Sequence, residues 1–75
     1  MDTIIELLEE INPDVDYETN ERLIDDHLID SLSLLSLIAE LEEEFDITVP
    51  AVEIVPDNFN SAKAIYKMVE RLEEE

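Results

Sequence analysis

The sequence predicts an all-α fold. Apolar residues recur at helical spacing in three separate segments of the 75-residue chain. Glycine is absent and aromatic residues make up only 5% of the composition, which suits helices and suits a β-sandwich poorly. The length is enough for one small domain with a modest core, and neither a repeat nor a linker divides the chain. We therefore expect residues 1–75 to form a single helical domain.

The three helical segments have recognisable ends. The predicted helices cover residues 2–11, 31–45 and 62–73. Asn12-Pro13 ends the first helix, because a residue before proline is disfavoured in helical conformation. Asp30 is the expected N-cap of the second helix, and Asn60 or Ser61 that of the third. The residues expected to face the core are Ile4, Ile5, Leu7, Leu8 and Ile11, then Leu34, Leu37, Ile38, Leu41 and Phe45, and finally Ile65, Met68, Val69 and Leu72.

Two long connections join these helices. Residues 12–30 form a loop that is long for so small a domain, and loops of that length are usually functional or disordered. Its apolar residues predict that it packs against the helices; they are Tyr17, Leu23, Ile24, Leu28 and Ile29. The second connection, residues 45–60, contains Val49-Pro50 and Val55-Pro56, and one short helical turn fits between the two prolines.

The charge and composition exclude several classes of function. The chain has 22 acidic and 4 basic residues, a formal net charge of −18, so it repels nucleic acids and anionic membranes and should attract basic partners. Mutual repulsion should raise carboxylate pKa values, so that mild acidification stabilises the fold. Cysteine is absent, so no disulfide and no protein thiol is available. Neither a signal peptide nor a bilayer-spanning run is visible, and we expect a cytoplasmic protein.

Ser31 is the strongest candidate for a reactive site. It follows Asp30 at the start of the second predicted helix, where backbone N–H groups and the positive end of the helix dipole point outward. Such a position suits a phosphate group. Ser31 is therefore either a structural part of the helix start or a point of attachment.

The second predicted helix has another side besides its core stripe. This side carries Leu32, Leu35, Ser36, Ala39, Glu42 and Glu43. Apolar residues that are rimmed by acids are typical of a docking surface for a basic partner. A wide core stripe in a small bundle explains the same pattern, and periodicity alone does not distinguish the two interpretations.

Four stretches of the sequence form a familiar combination. They are Asp30-Ser31-Leu32 at a helix start, Leu-Glu-Glu-Glu-Phe-Asp-Ile at 41–47, Val49-Pro50, and Phe59-Asn60-Ser61 before the last helix. Together they resemble the acyl carrier protein family over nearly the whole chain. The resemblance implies a small four-helix bundle, with three main helices, one short helix around residues 51–55, and a long loop between the first two helices.

The same resemblance implies a cofactor and a set of partners. Ser31 would be esterified by 4′-phosphopantetheine from coenzyme A, with Asp30 and Leu32 as flanking motif residues. The thiol of this arm would hold an acyl or aminoacyl group as a thioester, which fits a chain without cysteine. The expected partners are a phosphopantetheinyl transferase, a loading enzyme and a downstream transferase or synthase, which would read Leu32, Leu35, Glu42 and Glu43. The carrier itself is expected to be a monomer that is not an enzyme and binds no metal.

The sequence departs from the family pattern in informative places. A glycine commonly precedes the motif, but here the chain reads Asp26-His27-Leu28-Ile29. Carriers of fatty-acid synthesis usually have acids where this chain has Ser33 and Ser36, and only Glu42 and Glu43 keep the acidic recognition positions. The pattern favours a specialised carrier that serves D-alanine transfer, polyketide or nonribosomal peptide pathways over a housekeeping fatty-acid carrier. It identifies neither the cargo nor the loading enzyme.

Two alternative functions remain open at this point. The protein could be a small acidic helical adaptor without a cofactor, in which Ser31 is only part of the helix start. A hydrolase with a triad of Ser31, His27 and Asp30 is less favoured, since the sequence suggests no oxyanion hole or substrate cleft. A cation site at Asp25, Asp26 and Asp30 lacks the glycine and the terminal glutamate of a calcium loop.

The basic residues of the third predicted helix form a stripe. Lys63, Lys67 and Arg71 recur at a spacing of four residues, which places them on one side of the helix. The main expected role of this stripe is to offset the acidic field within the domain, and a partner site is the minority interpretation.

Overall fold

The computed structural model describes residues 2–74 and consists of helices and loops. Helix α1 covers Asp2–Ile11, α2 covers Ser31–Phe45, α3 covers Pro56–Phe59 and α4 covers Ala62–Glu73, while a single 3-10 turn covers Ala51–Glu53. No strand occurs within residues 2–74. The all-α prediction, the bounds of the three main helices and the long loop between α1 and α2 are thus confirmed. None of the helices in this described range is long and apolar enough to cross a membrane.

Helices α1, α2 and α4 pack around one apolar core. The buried side chains are Ile4, Leu7, Leu8, Tyr17, Leu23, Ile29, Leu37, Ile38, Leu41, Val49, Phe59, Ala62, Ile65, Met68, Val69 and Leu72. The predicted inner residues Ile5, Ile11, Leu34 and Phe45 lie half-buried at the edge of this core. Full burial of one such side chain contributes roughly 1.5–3 kcal/mol, so the core fixes the rotation of each long helix about its axis. The side of α2 that begins with Leu32 is turned outward as a result.

The long loop from residue 12 to residue 30 packs against the helices, as its apolar residues predict. Tyr17 is buried, and its phenol donates to the backbone oxygens of Leu8 at 3.0 Å and of Asn12 at 2.7 Å, which satisfies carbonyl groups at the end of α1. Burial raises the pKa of Tyr17, and the nearby Glu9 carboxylate raises it further. The phenol therefore stays protonated and able to donate.

Asn60 joins this loop to the beginning of α4. Its side-chain oxygen accepts the N–H groups of Ile24 at 2.9 Å and Asp25 at 3.1 Å, and its backbone oxygen accepts that of Leu23 at 2.9 Å. The cap of α4 is Ser61, whose hydroxyl oxygen accepts the Ala64 N–H at 3.0 Å. Of the two cap candidates, Ser61 is thus the cap, while Asn60 fixes the loop.

The prediction of one short helix around residues 51–55 is only partly right. The 3-10 turn does lie between the two prolines, but a second short helix, α3, begins at Pro56. Proline is favoured at the first helical position, because its fixed φ suits a helix and its missing N–H needs no partner there. Val55 before it is extended, with φ −131° and ψ 152°. Pro56 therefore starts a helix instead of merely ending a turn.

Two residues of the described chain adopt the positive φ that glycine usually supplies at a turn. His27 has φ 57° and Asp46 has φ 52°, which place both in the left-handed region. Asp46 ends α2 in this conformation, and its N–H donates to the Glu42 backbone oxygen. His27 lies four residues before Ser31, in a stretch that contains no glycine. The loop therefore makes its turn with a residue for which this conformation is costly.

Candidate functional site

Ser31 is the first residue of α2 and is exposed. The preceding Asp30 has extended backbone, and its carboxylate accepts the Ser33 N–H at 2.8 Å, while its backbone oxygen accepts the Leu34 N–H at 2.8 Å. Asp30 is therefore the N-cap of α2, as the sequence predicts. This cap fixes the direction in which the helix begins and so the place at which Ser31 is presented.

The electrostatics at the start of α2 suit an anionic group. The first N–H groups of a helix have no partner within the helix, and the helix dipole adds positive potential at this end. The Ser33 N–H and then its side chain hold the pKa of Asp30 below its ordinary value, so this carboxylate is ionised near neutral pH. Within residues 2–74, the Ser31 hydroxyl takes part in no hydrogen bond of the structure and is open to reaction. The helix dipole and the remaining N–H groups suit the phosphodiester of a phosphopantetheine arm, whereas the ionised Asp30 carboxylate already accepts the Ser33 N–H and serves as the cap.

Two leucines next to Ser31 are turned to solvent. Leu32 is 77% exposed and Leu35 is 60% exposed, whereas Leu37, Ile38 and Leu41 on the opposite side of α2 are buried. The interpretation of the outer side as a wide core stripe is therefore wrong. The predicted docking side begins with two exposed apolar residues directly beside the candidate attachment point.

Glu42 and Glu43, at the other end of this side, have different environments. The Glu42 carboxylate is half-buried and accepts the backbone N–H of Val49 at 2.9 Å. Glu43 is exposed and lines an open depression together with Glu40 and Glu44. Glu42 therefore has a structural contact in addition to its charge, which the sequence pattern did not indicate, while Glu43 presents its charge to solvent.

The structure exposes further apolar residues that the sequence analysis did not single out. Val52 is 81% exposed and Val55 is 42% exposed, and both belong to the connection between α2 and α3. One feature of the sequence could have predicted this exposure. Both valines lie in the short stretch between Pro50 and Pro56, where a single turn cannot bury side chains on both of its sides.

The arrangement gives no support to a hydrolytic triad. His27 is exposed in the loop, and no hydrogen bond of the described chain joins it to Ser31. The Asp30 carboxylate instead accepts a hydrogen bond from the Ser33 backbone N–H. Open surface depressions are lined by Glu40, Glu43 and Glu44 and by Lys67, Glu70, Arg71 and Glu74, and neither contains Ser31 or His27. Residues 2–74 contain no group of three or more histidine or acidic side chains placed to hold a metal ion.

Comparison with known proteins identifies the family. The family described as "Phosphopantetheine attachment site" matches residues 2–69. The D-alanyl carrier protein of Listeria welshimeri serovar 6b is 37% identical over 73 residues, which cover 95% of this chain and 94% of that protein. The D-alanyl carrier protein of Streptococcus sanguinis is 40% identical over 70 residues, which cover 92% and 89%. No solved structure gives a significant match.

The chain therefore belongs to the phosphopantetheine attachment family. The resemblance to acyl carrier proteins is confirmed, and the cofactor of this carrier protein is a covalently attached 4′-phosphopantetheine. The alternative of an adaptor without a cofactor is not favoured by these findings. The exposed hydroxyl at the start of α2 has the chemistry that such an attachment requires.

Proposed function

We propose that Ser31 is the residue that carries the 4′-phosphopantetheine, with Asp30 and Leu32 flanking the attachment point. The observation that supports this proposal is the exposed position of Ser31 at the first residue of the 15-residue helix α2. Attachment forms one bond from the Ser31 oxygen to phosphorus and breaks the pyrophosphate bond of coenzyme A, so the adenosine bisphosphate part leaves. The arm then supplies a thiol, which holds the cargo as a thioester.

Intact-mass analysis after incubation with coenzyme A and a phosphopantetheinyl transferase tests this assignment. The unaltered protein should gain one cofactor mass, and Ser31→Ala should gain none. Ser33→Ala is the matched control, because it removes a neighbouring hydroxyl while the Asp30 cap still receives the backbone N–H of residue 33. Uptake of the cofactor by Ser31→Ala would show that the attachment lies elsewhere.

We further propose that the cargo is a D-alanyl group. Two relatives that align over most of this chain are named D-alanyl carrier proteins. Ser33 and Ser36 agree with this choice, since they replace the acids of fatty-acid carriers. The loading enzyme would activate the D-alanine carboxyl group with ATP as an acyl adenylate, with release of pyrophosphate, and the thiol would then displace AMP to form the thioester. The carrier itself supplies no catalytic residue in this reaction and works in the cytoplasm as a monomer.

The cargo proposal is tested on the protein that already bears the cofactor. Incubation with D-alanine, ATP and a D-alanine-activating ligase should add one alanyl mass, which hydroxylamine should remove, because a thioester is cleaved by this nucleophile. For comparison, the same loading experiment is carried out with L-alanine, and with a medium-chain fatty acid and the ligase that activates it. Faster loading with the fatty acid would contradict the D-alanyl assignment and leave the attachment at Ser31 intact.

The partner surface proposed for this function consists of Leu32, Leu35, Glu42 and Glu43. The two leucines supply exposed apolar area beside Ser31, and the glutamates supply negative charge further along α2. Because the net charge of the chain is −18, enzymes that use this surface should carry basic residues around an apolar contact. High salt should therefore slow modification mainly through the association rate.

A further inference from the structure

Residues 49–53 form a short stretch between α2 and α3, which we call the turn segment. Only Val49 of this segment is buried, and the 3-10 turn contributes no residue to the core. Val52 is 81% exposed, slightly more than Leu32 beside the attachment point. Burial of Val49 holds the beginning of the turn segment, whereas residues 50–53 contribute no buried apolar side chain that would hold the rest of it.

Polar side chains from three helices hold the turn segment. At its beginning, Glu42 of α2 accepts the Val49 N–H at 2.9 Å. At its end, Asn58 of α3 donates to the Glu53 backbone oxygen at 2.7 Å and to the Glu53 carboxylate at 3.1 Å. Arg71 of α4 donates to both oxygens of the same carboxylate, at 2.9 and 3.2 Å. Both ends of the segment are thus fixed, with Val52 between them.

The pairing of Arg71 with Glu53 has the geometry of a fixed support. Two parallel hydrogen bonds between a guanidinium group and a carboxylate define the orientation of both groups. The hydrogen bond from Arg71 lowers the pKa of Glu53, so the pair stays charged near neutral pH. The Arg71 side chain is 54% exposed, and an ion pair that is open to solvent contributes little to global stability. Its more specific effect is on the position of the turn segment.

Resting on the proposed function, we propose that Val52 contacts the phosphopantetheinyl transferase and that Arg71 and Glu53 are positioning residues for this contact. The transferase surface that fits here is apolar at its centre and basic at its rim. The basic rim follows from the charge of −18 on this chain, and the apolar centre from the large exposed fraction of Val52. An apolar residue whose backbone lies between two fixed ends loses less conformational entropy on binding than one in a mobile segment.

Steady-state kinetics of transferase modification, with the carrier concentration varied, test this inference. Val52→Ser should raise KM about fivefold and leave kcat unchanged, since it removes a binding contact and leaves Ser31 in place. Arg71→Gln should raise KM about two- to threefold, the range expected for an exposed ion pair. Glu53→Gln should reproduce the Arg71→Gln result, because it weakens the same pair from the other side.

The double variant Val52→Ser with Arg71→Gln separates positioning from a structural role. Its KM should equal that of Val52→Ser alone, because a support has no effect once the supported contact is gone. Lys63→Gln is the matched control, since it removes an exposed positive charge from the same helix, and it should leave KM unchanged.

Two results would overturn the inference while the function of Ser31 stands. One is an unchanged KM for Val52→Ser, and the other is a double variant in which the two single effects multiply. Failure of the unaltered protein to accept the cofactor would instead overturn the proposed function on which the inference rests.

Discussion

The side-chain oxygen of Asn60 accepts the backbone N–H of Ile24 at 2.9 Å, although the two residues are 36 positions apart in the chain. The same oxygen accepts the Asp25 N–H, and the Asn60 backbone oxygen accepts the Leu23 N–H. These bonds fix the loop that leads into Ser31 against the start of α4. The attachment point is therefore presented by a loop that is anchored shortly before it.

We expect Asn60→Ala to lower the free energy of unfolding by about 2 kcal/mol, because two backbone N–H groups lose their acceptor. Asn20→Ala is the control, since within residues 2–74 the Asn20 side chain makes only a local bond, to the exposed Arg22 N–H at 2.8 Å. Its cost should be about 0.5 kcal/mol or less. Urea denaturation of both variants measures the difference, and equal costs would show that Asn60 does not anchor the loop.

Substitutions of Glu42 and of Glu43 should differ in their effect on stability. Glu42→Ala should cost about 1 kcal/mol of stability, because the Val49 N–H loses its acceptor, whereas Glu42→Gln keeps an acceptor oxygen and should cost less. Glu43→Ala should leave the melting temperature nearly unchanged, since this side chain is exposed. A thermal melt of the three variants decides the point. Similar melting temperatures for Glu42→Ala and Glu43→Ala would contradict it.

His27→Gly should stabilise the protein by about 0.5–1 kcal/mol. The φ of 57° at His27 is costly for a residue with a Cβ atom, and relief of this cost outweighs the added freedom of the unfolded chain. Denaturant unfolding provides the measurement. A loss of stability in His27→Gly would mean that the imidazole makes a contribution larger than the backbone cost.

Acid should weaken the cap of α2. Hydrogen bonds lower the pKa of Asp30, so the folded protein binds a proton here less readily than the unfolded chain. The stabilisation is fully present above the unfolded pKa, near pH 4, and is lost as the pH falls through the lower folded value. The stability advantage of the unaltered protein over Asp30→Asn should therefore shrink below about pH 4. A constant difference from pH 7 to pH 3 would contradict this assignment.

Asp30 and Glu53 are exceptions to the expectation from the net charge. Repulsion within a chain of charge −18 predicts raised carboxylate pKa values and stabilisation by mild acid. At these two carboxylates the pKa is lowered, because Ser33 and Arg71 donate hydrogen bonds to them. At these two positions, specific donors at short range outweigh the diffuse repulsion, and total charge does not show where such donors lie.

Much of the fold was predictable because apolar periodicity and caps are local signals. The bounds of α1, α2 and α4 and the Asp30 cap follow from residues within a few positions of each helix end. The start of α3 at Pro56 was missed, because proline ends some helices and begins others, and tertiary packing of Phe59 decides between them.

The candidate site was predictable only in its local part. Ser31, Asp30 and the side of α2 that carries Leu32 are defined by sequence neighbours. The contacts of Glu42 with Val49 and of Arg71 with Glu53 depend on how separate segments meet. No periodicity within one helix contains that information, so only the structure distinguishes Glu42 from Glu43.

The central claim is that the phosphopantetheine arm is bound to Ser31, and peptide fragmentation by mass spectrometry tests it most directly. The protein modified by the transferase is digested to a peptide that contains both Ser31 and Ser33, and fragment ions locate the added mass. We predict that every fragment ending between the two serines assigns the cofactor to Ser31. Cofactor mass on Ser33, or on any peptide outside the start of α2, would contradict the account.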